Sequence, residues 1–332
     1  MALRLLNNDD YERDWPVWKK AALETAQGDP FCCQPVWQLS FHRSFAETCR
    51  VDLRQGDGCM LAFTEQTTPS GQRCLVPLEP SWFFGSPLLG NGSLELLAEA
   101  LEDWTGEYGF CPDILISGML RQSAFFARLV QGFSRIFHCY LYQESRQCSA
   151  SLIGGLDGFL SRRSANHRHK LKKCARRAAE AGVSFERCRP LSPEEAQATF
   201  ARMLAVEKQS WKGIGHCGMA EPPSSRFYSI LLAALARTGD ARVIFARHED
   251  QDIGFIFGGM AGNIYRGQQF SFADSWRSFS IGNLLQQEKI RWLCEDGALR
   301  YDMGPISGPR MGYKSHWTEN TVTLHTLLLR RS

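Results

Sequence analysis

The chain has 332 residues, of which 44% are hydrophobic and 22% charged, and its formal net charge is +3 at pH 7. These values are typical of a globular protein with one large domain or two of ordinary size. They exclude a polycation that binds nucleic acid over its whole surface, so any affinity for phosphate must be local.

Neither a targeting segment nor a pattern of paired cysteines is recognisable. The first residues contain no apolar core of a signal peptide, and no run approaches ~20 apolar residues, so we expect a cytoplasmic protein without membrane insertion. The 12 cysteines are scattered and form no C-x-x-C pair. We therefore expect neither a bound metal nor a disulfide framework.

The first half of the chain alternates between helical and strand-like patterns. Apolar residues at helical spacing indicate helices, and short apolar runs between turn-forming residues indicate strands. The predicted elements are strand 3–6, helices 14–25 and 35–47, strands 59–65 and 73–79, helix 93–108, strand 113–117, helix 122–131 and strand 137–142.

The second half repeats this order of elements without a literal sequence repeat. Its predicted elements are a basic helix ending at 181, strand 183–187, helices 193–211 and 224–237, strands 242–248, 253–260 and 264–272, a helix from 281, and strands 299–303 and 321–330. This order predicts an α/β fold with mixed sheets flanked by helices. We expect a tandem of two similar domains, 1–150 and 151–332.

The segment 269–304 is predicted to form a strand, a polar turn, a helix and a second strand. A strand that enters a helix through a small, serine-bearing turn leaves several backbone N–H groups aimed at one point. Such a point can hold phosphate or a developing negative charge. Most strand–turn–helix units bind nothing, so the segment alone does not identify a ligand.

A strongly basic helix precedes this unit. From Arg162 to Arg177 the sequence contains many cations and no acidic residue. One reading is a solvated helix face. The other is a binding face for a phosphate-bearing partner, such as a nucleotide, a pantetheine carrier or tRNA. The negative charge of such a partner would offset the repulsion between like charges at helical spacing. The cations are Arg162, Arg163, Arg168, Lys170, Lys172, Lys173, Arg176 and Arg177.

Glu207 and Trp211 are four residues apart on the predicted helix 193–211 and so share a face. A carboxylate beside an indole in an apolar pocket has a raised pKa and can act as a general base. The alternative is a surface carboxylate with Trp211 in the core. The following loop, 213–223, is a candidate lid on the acceptor side or a mere connection.

Two later segments carry further polar candidates. In YDMG, Tyr301 and Asp302 point to opposite faces of a strand, and Asp302 either faces a crevice or satisfies backbone donors in the next turn. In GPRMGYKSHW (308–317), Tyr313 and Lys314 either donate protons and hold an anion or pack as part of a loop. Signatures of serine hydrolases, P-loop NTPases and Rossmann dehydrogenases are missing from the sequence.

Several segments together resemble the GNAT acyltransferase superfamily, in particular its CelD-like branch, which is related to the Fem peptidyltransferases. The match covers about residues 155–330, and the early segment FCCQPVWQLSFHRSFAE resembles the entry to the N-terminal half of such proteins. The resemblance implies two GNAT-like domains, of which the second has the acyl-donor features. The matching segments are FLSRRSANHRHKLKKCARRAAEAGVSF, a helix ending in SWK, IYRGQQFSFADSWRSFSIGNLL and ALRYDMGPISGPRMGYKSHW.

The resemblance also implies roles for individual residues. The strand 265–272 would separate from its neighbour, and an acyl-CoA, acetyl-CoA or longer, would bind in the gap. Acyl transfer to a small-molecule or peptide amine would use Glu207 or Asp274 as base, backbone N–H groups near 269–272 as oxyanion donors and Tyr313 as acid, with Asp302 as a further catalytic candidate. Donor-binding residues would be Arg277, Ser278, Ser280, Gly282, Asn283 and Lys314, and substrate-binding residues would be Trp211, Gln269 and Tyr301.

The identity of the donor stays open at this level. The turn RSFSIGN contains one glycine, Gly282, where the family's pyrophosphate loop has several. The Fem branch uses aminoacyl-tRNA, and the basic helix from Arg162 to Arg177 would suit either a CoA phosphate or tRNA. The third possibility is a non-catalytic GNAT-like binding module. The acceptor, the oligomeric state and any ligand of the first domain are not predicted.

Overall fold

The computed structural model describes residues 3–25, 28–306 and 309–331. The chain divides into two compact units, the first formed by Met1–Arg146 and Val322–Ser332 and the second by Gln147–Thr321. No helix among the described residues is long and apolar enough to cross a membrane.

Helices and strands alternate along both units. The helices in the described residues are α1 (Asn8–Glu12), α2 (Pro16–Glu24), α3 (Pro35–Phe45), α4 (Ser93–Tyr108), α5 (Ala124–Phe133), α6 (Gly155–Ser161), α7 (Ala165–Glu180), α8 (Pro193–Lys208), α9 (Trp211–Ile214), α10 (Ser224–Arg237) and α11 (Ile281–Glu295), with 3₁₀ helices at Asp274–Phe279 and Pro309–His316. The strands are β1 (Val51–Gly56), β2 (Cys59–Thr67), β3 (Arg73–Pro77), β4 (Leu88–Leu89), β5 (Asp113–Met119), β6 (Phe137–Ser151), β7 (Val183–Cys188), β8 (Ala241–His248), β9 (Gln251–Ala261), β10 (Ile264–Phe272), β11 (Arg300–Pro305) and β12 (Asn320–Arg331).

The first unit is a mixed sheet with helices on both faces. Its strands lie in the order β1-β2-β3-β5-β12-β6. Side chains alternate across a strand, so in β2 Phe63 packs in one core with Trp104 of α4, while Met60 packs in another with Trp18 of α2. Both faces of the sheet are therefore buried by helices.

The second unit has the same architecture, with the strand order β6-β11-β10-β9-β8-β7. In β9, Ile256 packs with Ile281 and Leu284 of α11. The next residue, Phe257, meets the ring of Tyr228 of α10 edge-on at 5.8 Å. The α/β fold with mixed sheets flanked by helices is thus confirmed.

The observed elements differ from the predictions where local patterns are weak. Strand β1 was not predicted, because Val51–Gly56 is half exposed and polar at its end. The predicted strand 3–6 is reduced to a single bridge between Arg4 and Val51. The predicted helix 193–211 ends at Lys208, because the Ser210 side chain accepts from the backbone N–H groups of Lys212 and Gly213 and starts α9.

The last strand lies in a different unit from the one that chain order suggests. We predicted it as part of the second domain, but most of β12 belongs to the first unit and pairs antiparallel with β5. Its pairing partner is about two hundred residues earlier in the chain, as the pair Leu328 and Leu115 illustrates. Pairing at that separation leaves no local signal in the sequence.

Candidate active site

Strands β10 and β11 pair over a short distance and then separate. They are parallel neighbours at three positions, Ile264 with Arg300, Tyr265 with Tyr301 and Arg266 with Asp302. Among the described residues of these strands, pairing between the two ends there. Beyond that point β10 continues against β9 as far as Phe272, and β11 continues against β6 as far as Pro305. The facing edges therefore open into a gap.

Both strands contain a β-bulge where the gap begins. In β10 the register against β9 shifts between Gly267 and Gln269, so that Gln268 is the extra residue. In β11 the register against β6 shifts between Asp302 and Gly304, so that Met303 is the extra residue. A bulge bends its strand and redirects a side chain. These two bulges place Gln268 and Met303 in the wall of the gap.

A cavity of about 300 Å³, measured with its open mouth, occupies this gap. Its apolar lining comes from β9, β10 and β11, and its polar lining consists of glutamine and tyrosine side chains and one lysine. Residues predicted as site candidates from two separate segments of the sequence meet here. The polar lining residues are Gln268, Gln269, Gln286, Tyr301, Tyr313 and Lys314.

The two tyrosines of the cavity have different surroundings. The Tyr301 hydroxyl donates to Oε1 of Gln286 at 2.7 Å, and its ring is fully buried. The Tyr313 ring meets Phe270 edge-on at 5.6 Å. The Tyr313 hydroxyl has no hydrogen-bond partner among the described residues. Burial raises the pKa of Tyr313 above its ordinary value, so its hydroxyl is protonated near neutral pH and can donate.

Lys314 binds the backbone of β11. Its Nζ donates to the carbonyl oxygens of Met303 at 2.6 Å and Pro305 at 2.7 Å. Burial lowers the pKa of Lys314 to about 8. The ammonium group thus attaches the 3₁₀ helix that carries Tyr313 to the wall of the cavity. The segment 308–317 begins at Gly308, which lies outside the described residues.

Glu207 is fully buried, which contradicts the reading of it as a surface carboxylate. Its Oε1 accepts from the backbone N–H of Met219 at 3.0 Å, and its buried Oε2 has no partner among the described residues. Trp211 does not share its helix face and is 40% exposed. The prediction that residues at i and i+4 share a helix face is wrong here, because α8 ends between Glu207 and Trp211.

Lys212 connects this carboxylate to the cavity, and the sequence analysis did not single it out. Its Nζ lies 4.0 Å from Oε1 of Glu207. It donates to Oε1 of Gln269 at 3.0 Å and to the carbonyl oxygen of Phe270 at 2.8 Å. Burial lowers the pKa of Lys212 below its ordinary value, although the nearby Glu207 carboxylate opposes that shift. Glu207 does not line the cavity, and Lys212 links it to strand β10 in the cavity wall.

The turn between β10 and α11 holds most of the predicted donor-binding residues. Arg277 is exposed and lies 3.7 Å from Asp274. Ser280 has a φ of +58°, a left-handed conformation that costs energy for any residue other than glycine. A Cβ on Gly282 would lie 3.1 Å from the Phe270 and Phe272 rings, so a larger residue there would require these rings to move by a few tenths of an ångström. The amide N–H of Asn283 donates to the Ser280 carbonyl at 2.9 Å.

Arg177 of the basic helix contacts this turn. Nη2 of Arg177 donates to Oγ of Ser278 at 3.3 Å, and the Arg177 guanidinium lies 4.4 Å from the centre of the Phe279 ring. Arg163 does not contribute to an exposed cationic face because it is buried and paired with Glu319.

The remaining predicted residues lie outside the cavity lining. Asp302 forms an ion pair with Arg300 at 2.8 Å and projects from β11 on the face opposite Tyr301. Asp274 is half exposed beside Arg277. No group of three or more histidine, cysteine or acidic side chains in the described part of the chain could hold a metal ion.

Comparisons with known proteins agree with this geometry. Residues 165–315 match the model of the acetyltransferase (GNAT) domain family. No curated protein sequence matches the chain significantly. The matched residues include every residue that lines the cavity. The GNAT resemblance noted in the sequence is therefore confirmed.

Solved structures resemble the chain over nearly its full length. A conserved protein of unknown function from Bacteroides thetaiotaomicron has 10% sequence identity, coverage of 99% of each chain and a TM-score of 0.67. FemX has 11% identity, coverage of 98% of this chain and 97% of that chain, and a TM-score of 0.65. L-PGS from Bacillus licheniformis has 13% identity, coverage of 96% and 92%, and a TM-score of 0.56. At these identities the likeness shows a shared fold.

The loop after α8 depends on Gly213. A Cβ there would lie 2.2 Å from the carbonyl oxygen of Glu207 and 2.7 Å from Cα of Lys208. Because backbone atoms cannot move aside cheaply, we expect Gly213→Ala to lower the free energy of unfolding by about 1–3 kcal/mol. Urea denaturation measures the change. Gly132→Ala in α5 is the control, since its Cβ would meet nothing within 4 Å, and equal effects of both variants would contradict the assignment.

The buried Lys314 predicts a dependence of stability on pH. Its pKa of about 8 in the folded protein lies below its ordinary value of 10.5. Between these values the unfolded chain binds more protons, so this residue adds stability as the pH rises. We expect the free energy of unfolding of the wild type to gain up to about 3 kcal/mol relative to Lys314→Met between pH 7.5 and 10.5. A constant difference, like that expected for the exposed Lys170→Met, would contradict this.

Proposed function

On the premise that residues 165–315 are a GNAT domain, we propose that the protein is an N-acyltransferase. It transfers an acyl group from an acyl-CoA to an amine acceptor. The observation that carries the proposal is the gap between β10 and β11, since pairing ends after three residues and a cavity lined by Tyr313 lies where it ends.

The edge of β10 supports binding of a thioester. Strand backbone that has lost its neighbour presents N–H and C=O groups without strand partners. The thioester carbonyl accepts a backbone N–H near Gln269–Phe272, which becomes the oxyanion donor as negative charge develops. The pyrophosphate lies at the start of α11, with the Ser278 and Ser280 hydroxyls, Asn283 and the exposed Arg277 around it.

The reaction forms a C–N bond and breaks a C–S bond. The neutral amine attacks the thioester carbonyl, the tetrahedral intermediate collapses, and the CoA thiolate leaves with a proton from the Tyr313 hydroxyl. The amine proton passes through water to a carboxylate. Glu207 is the better base, because its Oε2 is buried without a partner among the described residues, whereas Asp274 is half exposed beside Arg277. This role requires loop 213–223 to open.

A second candidate function has its own supporting observation. The exposed cations of α7 continue to the β10–α11 turn through the contact of Arg177 with Ser278. This arrangement suits an aminoacyl-tRNA donor, whose phosphates would lie along Lys170, Lys172 and Lys173. The third reading, a non-catalytic module, predicts ligand binding without turnover.

Ligand-induced stabilisation separates the three readings. A ligand at one hundred times its Kd adds about 2.7 kcal/mol to the free energy of unfolding. We expect such a gain with CoA and acyl-CoA. No gain with these ligands, together with salt-sensitive binding of aminoacyl-tRNA that Lys172→Glu weakens, would favour the tRNA donor. Binding of acyl-CoA without CoA release on any member of an amine library would favour the binding module.

Tyr313 is the residue whose replacement tests the chemistry. We expect Tyr313→Phe to lower kcat about 100-fold, because the leaving thiolate loses its proton donor, and to leave CoA affinity unchanged. Chromatographic measurement of free CoA gives the rate, and the thermal transition checks the fold. Tyr140→Phe on the exposed part of β6 is the matched control. Unchanged kcat in Tyr313→Phe would remove Tyr313 from the mechanism.

A further inference from the structure

We infer that the acyl group taken by this site is short and carries a hydroxyl near the thioester, and that Gln268 recognises it. The inference rests on the proposed acyl-CoA function and goes beyond it by naming the class of acyl group. Its basis is which polar side chains of the cavity wall have hydrogen-bond partners in the protein and which do not.

Most polar groups of the wall already have protein partners. Gln269 is bound at both ends of its amide, accepting from Lys212 and donating to the Tyr228 hydroxyl at 2.7 Å. The Tyr301 hydroxyl is bound to Gln286. Lys314 is bound to two carbonyl oxygens of β11. These groups shape the wall, and their hydrogen bonds do not depend on a ligand.

Gln268 differs from them. It is the extra residue of the β10 bulge, it lines the cavity, and its Nε2 is buried without a partner among the described residues. A buried polar atom without a partner is costly, so an unpaired one in a cavity wall points to a ligand group that completes it. The bulge is the reason that this side chain reaches the cavity.

The ligand group must be able to pair with either end of an amide. The nitrogen and oxygen of a glutamine side chain can exchange places by rotation, so the unpaired atom is a donor in one orientation and an acceptor in the other. A hydroxyl both donates and accepts, and therefore satisfies both orientations. A saturated chain would satisfy neither and would keep the amide buried and unpaired.

The size of the cavity limits the length of the chain. Its volume of about 300 Å³ includes the open mouth, so the space enclosed between the strands is smaller than this and admits only a short chain. Ile256, Phe257 and Met303 supply apolar walls beside Gln268. A chain of a few carbons with one hydroxyl matches both the apolar walls and the unpaired amide of Gln268.

A matched pair of ligands tests the inference on the wild-type protein. We expect 3-hydroxybutyryl-CoA to bind about five- to tenfold more tightly than butyryl-CoA in calorimetric titration, the gain of one hydrogen bond to a buried group. In Gln268→Leu, which has nearly the same size, the two ligands should bind equally. Gln131→Leu on the exposed face of α5 is the control and should keep the wild-type ratio.

The possible outcomes distinguish a failure of this inference from a failure of the proposed acyl-CoA function. Equal binding of both ligands to the wild type, or tighter binding of butyryl-CoA, overturns the inference and leaves the acyl-CoA function intact. A hydroxyl preference that persists in Gln268→Leu overturns the role of Gln268. If neither ligand nor CoA binds, the proposed function fails, and the inference fails with it. Should Gln268→Leu not fold, the ratio in the wild type still decides.

Discussion

The loss of pairing between β10 and β11 is the constraint on which the rest of the second unit depends. A strand can leave one neighbour only if another holds it, and here β9 holds β10 while β6 holds β11. The two bulges fall where the strands part, and they supply the bend that the separation needs. The gap is therefore built into the sheet itself, and Gln286 of α11 lines it from one side.

Three lysines stabilise this frame by using backbone carbonyls as partners. Lys314 holds β11 and Lys212 holds β10 at Phe270. Lys289 is fully buried in α11, donates to the Arg242 carbonyl at 2.9 Å and lies 5.0 Å from the centre of the Tyr265 ring. Burying an ammonium group is costly unless its hydrogen bonds are made. Lys314 and Lys212 thus each fix a strand that borders the gap, and Lys289 fixes α11 to β8.

Local sequence patterns were sufficient for most elements and for the segments that form the site. Helices 93–108 and 224–237 and strand 264–272 have the predicted bounds, because their periodicity is strong and a glycine or proline lies within two residues before each start. The cavity combines residues from 269–304 and 308–317, two segments chosen from sequence. The prediction that Glu207 and Trp211 share a helix face was wrong, because Ser210 caps a new helix and α8 ends before it.

The sequence by itself determined the α/β class, the GNAT resemblance and the candidate tyrosines, since these depend on short-range periodicity and on motifs that are local in the chain. Only the tertiary structure decided that Glu207 is buried, that Lys212 joins it to β10 and that Gln268 faces the cavity. The placement of Gln268 follows from a register shift, and the hydrogen bond from Lys212 to Phe270 joins residues 58 positions apart. Neither leaves a periodic signal along the chain, because a bulge moves a side chain without changing the composition around it.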